Sequence, residues 1–273
     1  RSYATPESRT RSVTLIRLAI NLGFSMGPAI GGLIIATWSY GGLFWVDGLT
    51  CFAAVLLMWY GLPRKQAQRD AQATRSIAQR SPYSDGTYLF FLFIMVLIGI
   101  AFLQYFSTVP LFYSEVHGLN EFQIGLLLGM NGLMIFLAEM PLIKYCEDRA
   151  FDRFGIMIWS VILFALSFVV FNFFPIIAFL WVGMFLATVG EMLNFPFMNR
   201  FAYDRSDQGR PGAYMALFTI GWSVSHIIGH TLGLNLIARF GYATTWYLFT
   251  GLLLLSTVML FFLKRMVQRE KVG

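Results

Sequence analysis

The sequence predicts an all-α integral membrane protein. Of its 273 residues, 57% are hydrophobic and only 12% are charged, whereas soluble domains carry about 25% charged residues. This number of charges is too small to cover the surface of a soluble protein of this size. The chain therefore needs an apolar solvent, which is the lipid bilayer. A bilayer-spanning helix takes about 20 mainly apolar residues, and eight stretches meet that condition: residues 13–37, 42–62, 87–113, 122–143, 154–174, 176–199, 213–238 and 243–263. Their uniform length favours helices over barrel strands, which read as alternations of about ten residues.

The basic residues indicate how these spans are oriented. Every lysine and arginine except Arg239 lies on one side, in the first segment, in the connections 63–86, 144–153 and 200–212, and in the tail. Cytoplasmic loops carry an excess of basic residues, so we expect both ends of the chain to be cytoplasmic. The basic residues do not form a stripe interleaved with aromatic side chains, so no nucleic-acid partner is expected.

The spans fall into two groups separated by a polar, basic linker. Residues 1–62 hold the first two spans, residues 63–86 form the linker, residues 87–263 hold six spans, and residues 264–273 form a tail. A shift of 202 residues sets the first span on the seventh, with Gly27 on Gly229 and Gly31 on Gly233. Such a repeat predicts a twelve-helix protein of two six-helix pseudo-repeats. The second repeat is complete at 87–263, and the first is represented by its last two helices.

The segment RTRSVTLIRLAINLGFSMGPAIGGLI carries the most specific motif. It resembles the fifth-helix glycine–proline signature of the drug and metabolite antiporters of the major facilitator superfamily, through Gly23, Gly27, Pro28, Gly31 and Gly32. The following GGLFWVDGLTCFAAVLL resembles the sixth helix of that group. The whole chain is similar to helices five to twelve of that fold. The resemblance implies a secondary transporter of a bacterial cell membrane, monomeric when full length, that binds a solute between its two halves.

Glycines at a spacing of four residues lie on one helix face, where another helix backbone can approach closely. Pro28 removes a backbone donor and bends a helix. The predicted result is a tight seam that closes one route during alternating access, and generic small-residue packing is the alternative. The seventh span departs from the signature, since His230 stands where the proline would be. The loop IKYCEDRAFDR resembles the cytoplasmic gating motif of the superfamily only through Asp148, Arg149 and Arg153.

Glu191 is the deepest carboxylate in the predicted spans. It lies nine residues before Arg200, which is about 13 Å along a helix. Ionisable groups at that depth are expensive and need a reason. Because low dielectric favours the neutral acid, Glu191 is the first candidate for proton coupling, and a neutral side chain in helix–helix hydrogen bonds is the alternative. Asn194 follows at i+3 and could share its polar face.

His226 and His230 lie four residues apart on the seventh span, on one helix face. A zinc site needs three or four ligands, and the third histidine, His117, lies in an external connection, so no metal is expected. Contact with protons or solute and buried packing both remain open. An integral membrane enzyme that uses this pair is a weaker alternative, because the spans offer no further ligand or nucleophile set.

Three more ionisable or polar positions are candidates. Arg17 and Asn21, one turn apart in the first span, could meet an anionic solute, although snorkelling is the default for such an arginine. Glu139, about one turn inside the cytoplasmic end of its span, is a candidate for an inner-gate salt bridge, and a plain interfacial residue is the alternative.

The sequence therefore predicts a secondary transporter, not an enzyme, that exports a small organic solute in exchange for protons or another coupling ion. No G-x-x-x-x-G-K-[ST] nucleotide loop occurs, and no cofactor is expected. The alternative from another class is a membrane sensor or assembly protein that keeps the fold without transport.

Overall fold

The computed structural model describes residues 19, 22–23, 26–28, 30–61, 81–173, 176–207 and 209–270, and those residues are helical with short connections. The helices in chain order are α1 (Met26–Thr37), α2 (Tyr40–Gly61), α3 (Gly86–Phe102), α4 (Gln104–Glu115), α5 (Glu121–Asp148), α6 (Arg153–Phe173), α7 (Ile177–Ser206) and α8 (Pro211–Glu270). A 3-10 turn at Pro82–Ser84 precedes α3. The described residues contain no β-strand, so the predicted fold class is confirmed for them.

Six helices of the described chain are long and apolar enough to cross a membrane: α2, α3 continued by α4, α5, α6, α7 and α8. At 1.5 Å per residue, the 60 residues of α8 would measure about 90 Å, three times the hydrocarbon core. In the first predicted span, 13–37, the structure describes α1 but leaves out residues 13–18, 20–21, 24–25 and 29. The count of eight spans therefore stays a prediction.

Helix α8 folds back on itself at Gly241, whose φ of 75° and ψ of 174° are not helical. A positive φ is easy for glycine because it has no Cβ. Tyr214, near the start of α8, and Glu270, at its end, both bind the same Asp85–Arg205 ion pair. Residues 211–240 and 242–270 are therefore two antiparallel arms, called here the first and second arms of α8. They correspond to the seventh and eighth predicted spans.

Side chains cap several helix starts. Asp85 accepts a hydrogen bond from the Tyr88 N–H at 3.1 Å before α3, and Asp152 accepts one from the Gly155 N–H at 2.9 Å before α6. Asn120 and Gln123 bond each other's backbone N–H groups at the start of α5, which is a capping box. These caps satisfy N–H groups that the first turn leaves without a helical partner.

Two helices extend beyond the spans that hydropathy predicts. Helix α7 continues to Ser206 rather than ending near residue 199, and the second arm of α8 reaches Glu270 rather than residue 263. The tail predicted at 264–273 is thus helical as far as Glu270. The added turns carry charged residues, among them Arg205 and Glu270, that pair with each other. Apolar length cannot reveal a helix that ion pairs prolong.

The chain divides into two compact units, residues 1–77 with 120–136 and residues 78–119 with 137–273. In the first unit, Gly32 lies against the start of α5, where an added Cβ would be 2.6 Å from the Glu121 carbonyl oxygen. A Cβ added to Gly31 would be 3.6 Å from the Leu43 side chain. Gly23 and Gly27 have no described atom within 4 Å of such a Cβ. The residues before Pro28 are mostly outside the described set, so the bend there stays a prediction.

In the second unit, a row of small residues on the first arm of α8 packs against α3 and α4. The row consists of Gly221, Ser225, Gly229 and Gly233, all buried. An added Cβ on Gly99 would be 2.6 Å from the Ser225 hydroxyl, and one on Gly229 would be 3.3 Å from the Ile100 carbonyl oxygen. Gln104 donates to the carbonyl oxygens of Ile100 and Gly229 at 2.8 and 3.0 Å. We call this contact the glycine seam.

The seam gives a direct test of packing. Gly99→Ala should lower the free energy of unfolding by about 1–3 kcal/mol, the usual cost of overpacking, because its methyl group would lie 2.9 Å from the Ser225 Cβ. Thermal unfolding in detergent measures the difference. Gly251→Ala is the matched control, since no atom lies within 4 Å of its Cβ position. Equal melting temperatures for the two variants would contradict the close approach.

Candidate functional site

Four polar residues of the seventh predicted span lie on the outer face of the first arm of α8, away from the glycine seam, whereas Ser225 belongs to the seam. Thr219, Ser223, His226 and His230 are all exposed, and their spacings of four, three and four residues place them along one helix face. The two imidazole rings are 6.0 Å apart between centroids. The structure therefore brings the two predicted histidines together. The hydroxyls of Thr219 and Ser223 bond to carbonyl oxygens of their own helix.

The two polar residues predicted in the middle of α7 have different surroundings. Glu191 is half-buried. Asn194 is fully buried, and its amide nitrogen donates to the Ser160 hydroxyl of α6 at 2.7 Å. The Asn194 carbonyl oxygen is buried with no hydrogen-bond partner among the described residues. Asn194 thus faces the α6–α7 packing, while Glu191 keeps partial access.

The strongest polar cluster is one that the sequence analysis did not select. Arg205 at the end of α7 holds both carboxylate oxygens of Asp85, with distances of 2.6 Å from Nε and 2.7 Å from Nη2. Asp85 has no exposed surface and Arg205 has 5%. The remaining members of the cluster also bond this pair or each other: Thr87 and Tyr88 on α3, and Tyr214 and Glu270 on α8. We call this group the Asp85–Arg205 cluster.

The carboxyl group of Asp85 is held in its ionised form. Burial alone would raise its pKa, but the hydrogen bonds from Arg205, the Tyr88 N–H and the Tyr214 hydroxyl, with the charge of Arg205, outweigh burial. The net result is a pKa below the ordinary value for an aspartate. These three donors all point at the carboxylate, so the buried charge is compensated.

The sequence did contain a signal for this cluster. Asp85 stands directly before a long apolar run, which is typical of an N-cap residue, although its position within residues 63–86 placed it in the predicted linker. Arg205 was considered only as one of the basic residues that predict how the spans are oriented in the membrane, and Glu270 was part of the predicted tail. No spacing rule connects three residues separated by 120 and 65 positions.

The residues predicted for the inner gate take part in separate contacts and do not form a single cluster. Arg153 binds Asp204 at 2.6 Å, and both side chains are 49% exposed. Arg149 lies over the ring of Tyr145, with its guanidinium carbon 5.6 Å from the centroid. Asp148 is exposed and Glu139 is buried. Arg17 and Asn21 lie outside the described residues.

Two further ion pairs join the same helix ends. Lys264 of the second α8 arm binds Asp152 at 2.8 Å, and Arg200 of α7 binds Glu147 of α5. The Lys264 ammonium and the Gly155 N–H offset the burial of Asp152 and lower its pKa. A cavity of about 440 Å³ opens beside these pairs, with charged and aromatic lining that includes Asp152, Arg153, Phe154, Phe201 and Asp204. The described residues hold no group of three or more potential metal ligands.

Long apolar helices, a folded-back final helix and ion pairs gathered at helix ends define a helical, multi-pass membrane protein. The family model described as Major Facilitator Superfamily matches residues 1–230 and 135–272, and the chain belongs to that family. The resemblance seen in the sequence is thereby confirmed at the level of the family.

Two curated relatives come from Bacillus subtilis (strain 168). The chain is 22% identical over 240 residues to the "Uncharacterized MFS-type transporter YttB", covering 86% of this chain and 59% of the relative. It is 23% identical over 248 residues to the "Uncharacterized MFS-type transporter YhjO", covering 89% of this chain and 60% of the relative. The chain spans about three fifths of the length of the curated relatives it matches.

The Asp85–Arg205 cluster should dominate the stability of the second unit. Asp85→Asn removes the negative charge that pairs with the buried Arg205 guanidinium. Breaking a buried ion pair lowers the free energy of unfolding by about 3–5 kcal/mol. Asp204→Asn, at a half-exposed pair, should cost less than about 1 kcal/mol. Thermal unfolding of both variants in detergent measures the difference. If Asp204→Asn proved as damaging as Asp85→Asn, the ranking of the two pairs would be wrong.

The pH dependence follows from the lowered pKa of Asp85. The unfolded chain binds a proton there more readily than the folded protein, so the contribution of the carboxylate is complete above its unfolded pKa of about 4. That contribution to stability is lost as the pH falls through the lower pKa that Asp85 has in the folded protein. The gap in melting temperature between the wild type and Asp85→Asn should be constant from about pH 6 to pH 8 and should narrow in acid. A gap that widens in acid would contradict an ionised Asp85.

Proposed function

We propose that the protein exports a small organic solute across the cell membrane of a bacterium by alternating access, in exchange for protons. The family, together with two relatives named as MFS-type transporters, supports solute transport. Proton coupling rests on the ionisable side chains in the spans, and export rests on the resemblance of residues 9–34 to the signature of the antiporters.

The observation that carries the proposal is the polar outer face of the first α8 arm. In a helix that crosses a bilayer, polar side chains rarely face lipid; they line a water-filled space or meet a partner. His226 and His230 are exposed on that face. The opposite face of the first α8 arm packs against α3 and α4 in the glycine seam. The polar face is therefore proposed to line the solute path.

Glu191 and His226 lie at the same depth. Glu191 is fifteen residues before Ser206 at the end of α7, and His226 is fifteen residues after Pro211 at the start of α8. Both helices leave the Asp85–Arg205 cluster, and farther along them the rings of Phe195 on α7 and Trp222 on α8 are still 5.1 Å apart between centroids. The two helices therefore run side by side in opposite directions. Fifteen residues correspond to about 22 Å along each helix. A carboxyl and an imidazole group at one level can both respond to a proton and a solute entering the same space.

In the proposed cycle, Glu191 is neutral while it carries the proton and ionised when the solute is bound. The proton arrives from the outer side, and it leaves to the cytoplasm when a solute molecule takes its place. Ionised Glu191 without solute would be a charge in a low-dielectric site, which is costly. That cost discourages the rearrangement of an empty, deprotonated carrier and so couples the two movements.

The half-exposed ion pairs at the basic ends of the helices are proposed as the inner gate. Arg153–Asp204, Arg200–Glu147 and Lys264–Asp152 join α5, α6, α7 and the second α8 arm. Exposed pairs contribute little free energy each, so they can part and re-form as the cytoplasmic side opens. Asp148, the last residue of α5, and Arg149, which follows it, are proposed to guide that movement.

The proton role of Glu191 can be tested in inverted membrane vesicles from cells that express the complete open reading frame. The vesicles are energised to an acidic interior, and collapse of the proton gradient is recorded on addition of amphipathic or anionic solutes. The wild type should show a solute-dependent collapse. Glu191→Gln should abolish it, because the amide cannot carry a proton.

Glu121→Gln is the matched control, since Glu121 is an exposed carboxylate at the start of α5, and it should behave like the wild type. A collapse that persists in Glu191→Gln would move the proton site elsewhere. If no solute in the panel collapsed the gradient in the wild type, proton-coupled export would be refuted.

A further inference from the structure

Three aromatic side chains from three helices meet at one level of the second unit. They are Phe102 at the end of α3, Phe195 on α7 and Trp222 on the first arm of α8. Their ring centroids are 4.6 Å apart for Phe102–Phe195, 5.1 Å for Phe195–Trp222 and 6.4 Å for Phe102–Trp222. The planes meet at 79–85°, the edge-to-face geometry that aromatic pairs prefer. We call this group the aromatic triad.

The triad is partly open, unlike the buried aromatic core of the same unit. Phe102, Phe195 and Trp222 are all half-buried, and Phe164, fully buried at 1% exposure, supports them from α6. By contrast, Phe168 and Trp246, which stack at 5.3 Å, are completely buried. The buried rings form core, whereas the triad keeps aromatic surface available to another molecule.

The triad lies one helical turn from both proposed solute-path residues. Phe195 follows Glu191 at i+4, and Trp222 precedes His226 at i−4, so each pair shares a helix face. Phe195 and Trp222 are each eleven residues from their ends of the α7–α8 connection. They therefore lie at equal depth, and the two ionisable residues lie about 6 Å beyond them. An aromatic surface is thus followed, along one path, by a carboxyl and an imidazole group.

We propose that the triad binds the flat, apolar part of the solute and that Trp222 determines specificity for solutes with an aromatic ring. The ring would stack on Trp222 and Phe195, and the polar end would extend toward Glu191 and His226. The substrate class is therefore an amphipathic molecule with a planar aromatic group and a polar or protonatable end. This inference rests on the proposed transport function, because it names the solute of that same site.

The test uses two primary amines, 2-(1-naphthyl)ethylamine with a planar ring and n-decylamine with a flexible alkyl chain, and the purified product of the complete open reading frame in detergent. Equilibrium dialysis measures binding of each probe. The naphthyl probe should bind more tightly than decylamine. Trp222→Ala should weaken naphthyl binding at least threefold, a loss typical of one aromatic contact, and should leave decylamine binding within twofold.

Two variants separate specificity from folding. Trp222→Phe keeps a flat ring and should retain most of the naphthyl affinity. Trp159→Ala is the matched control, because Trp159 on α6 is 65% exposed and lies outside the triad; it should bind both probes like the wild type. If Trp222→Ala melts well below the wild type, Phe195→Leu replaces it as the truncation of the triad, and the same loss is expected.

The outcomes distinguish this inference from the transport proposal. Equal binding of the naphthyl probe to wild type and to folded triad variants would overturn the inference, even if Glu191→Gln still abolished the gradient collapse. Equal loss of both probes in the variants would also overturn it, since the effect would then be general. Selective loss of the naphthyl probe would support the triad as a binding surface even if no solute moved protons.

Discussion

The charge of Asp85 is removed from solvent, and the second unit is arranged so that this charge is compensated. Arg205 reaches it from the end of α7, Tyr214 from the start of α8, and Glu270 binds the other side of the guanidinium from the end of α8. The penalty for leaving a buried charge unpaired is several kcal/mol. Three helices must therefore bring four helix ends together, which requires α8 to reverse at Gly241.

That reversal decides which face of the first α8 arm is available. Once its glycine row is packed against α3 and α4, with Gln104 bonded to the Gly229 carbonyl oxygen, the face with His226 and His230 points away from the core. The same packing brings Trp222 to Phe195. The buried ion pair at one end and the seam along the helix thus fix the geometry of the candidate site without contributing a residue to it.

The sequence located much of the candidate site because depth in a membrane is a one-dimensional property. Counting residues from the charged ends was enough to select Glu191 and His226 as deep ionisable groups, and a spacing of four residues predicted that the two histidines share a face. The same reasoning did not separate Asn194, which is buried against Ser160, from its neighbour Glu191. Orientation toward or away from another helix depends on packing that residue spacing does not specify.

Composition and apolar length were enough to predict the solvent of this protein, its fold class and the approximate limits of the described spans, because these are local properties of the chain. The family was predicted separately, from the resemblance of the glycine–proline segment at residues 9–34. The tertiary structure was needed to show that Asp85, Arg205 and Glu270 form one cluster and that α7 and α8 extend past their apolar segments. It was also needed to show that Phe102, Phe195 and Trp222 meet. Each of these contacts joins residues from different helices, and their partners become visible only when helix packing brings distant segments together.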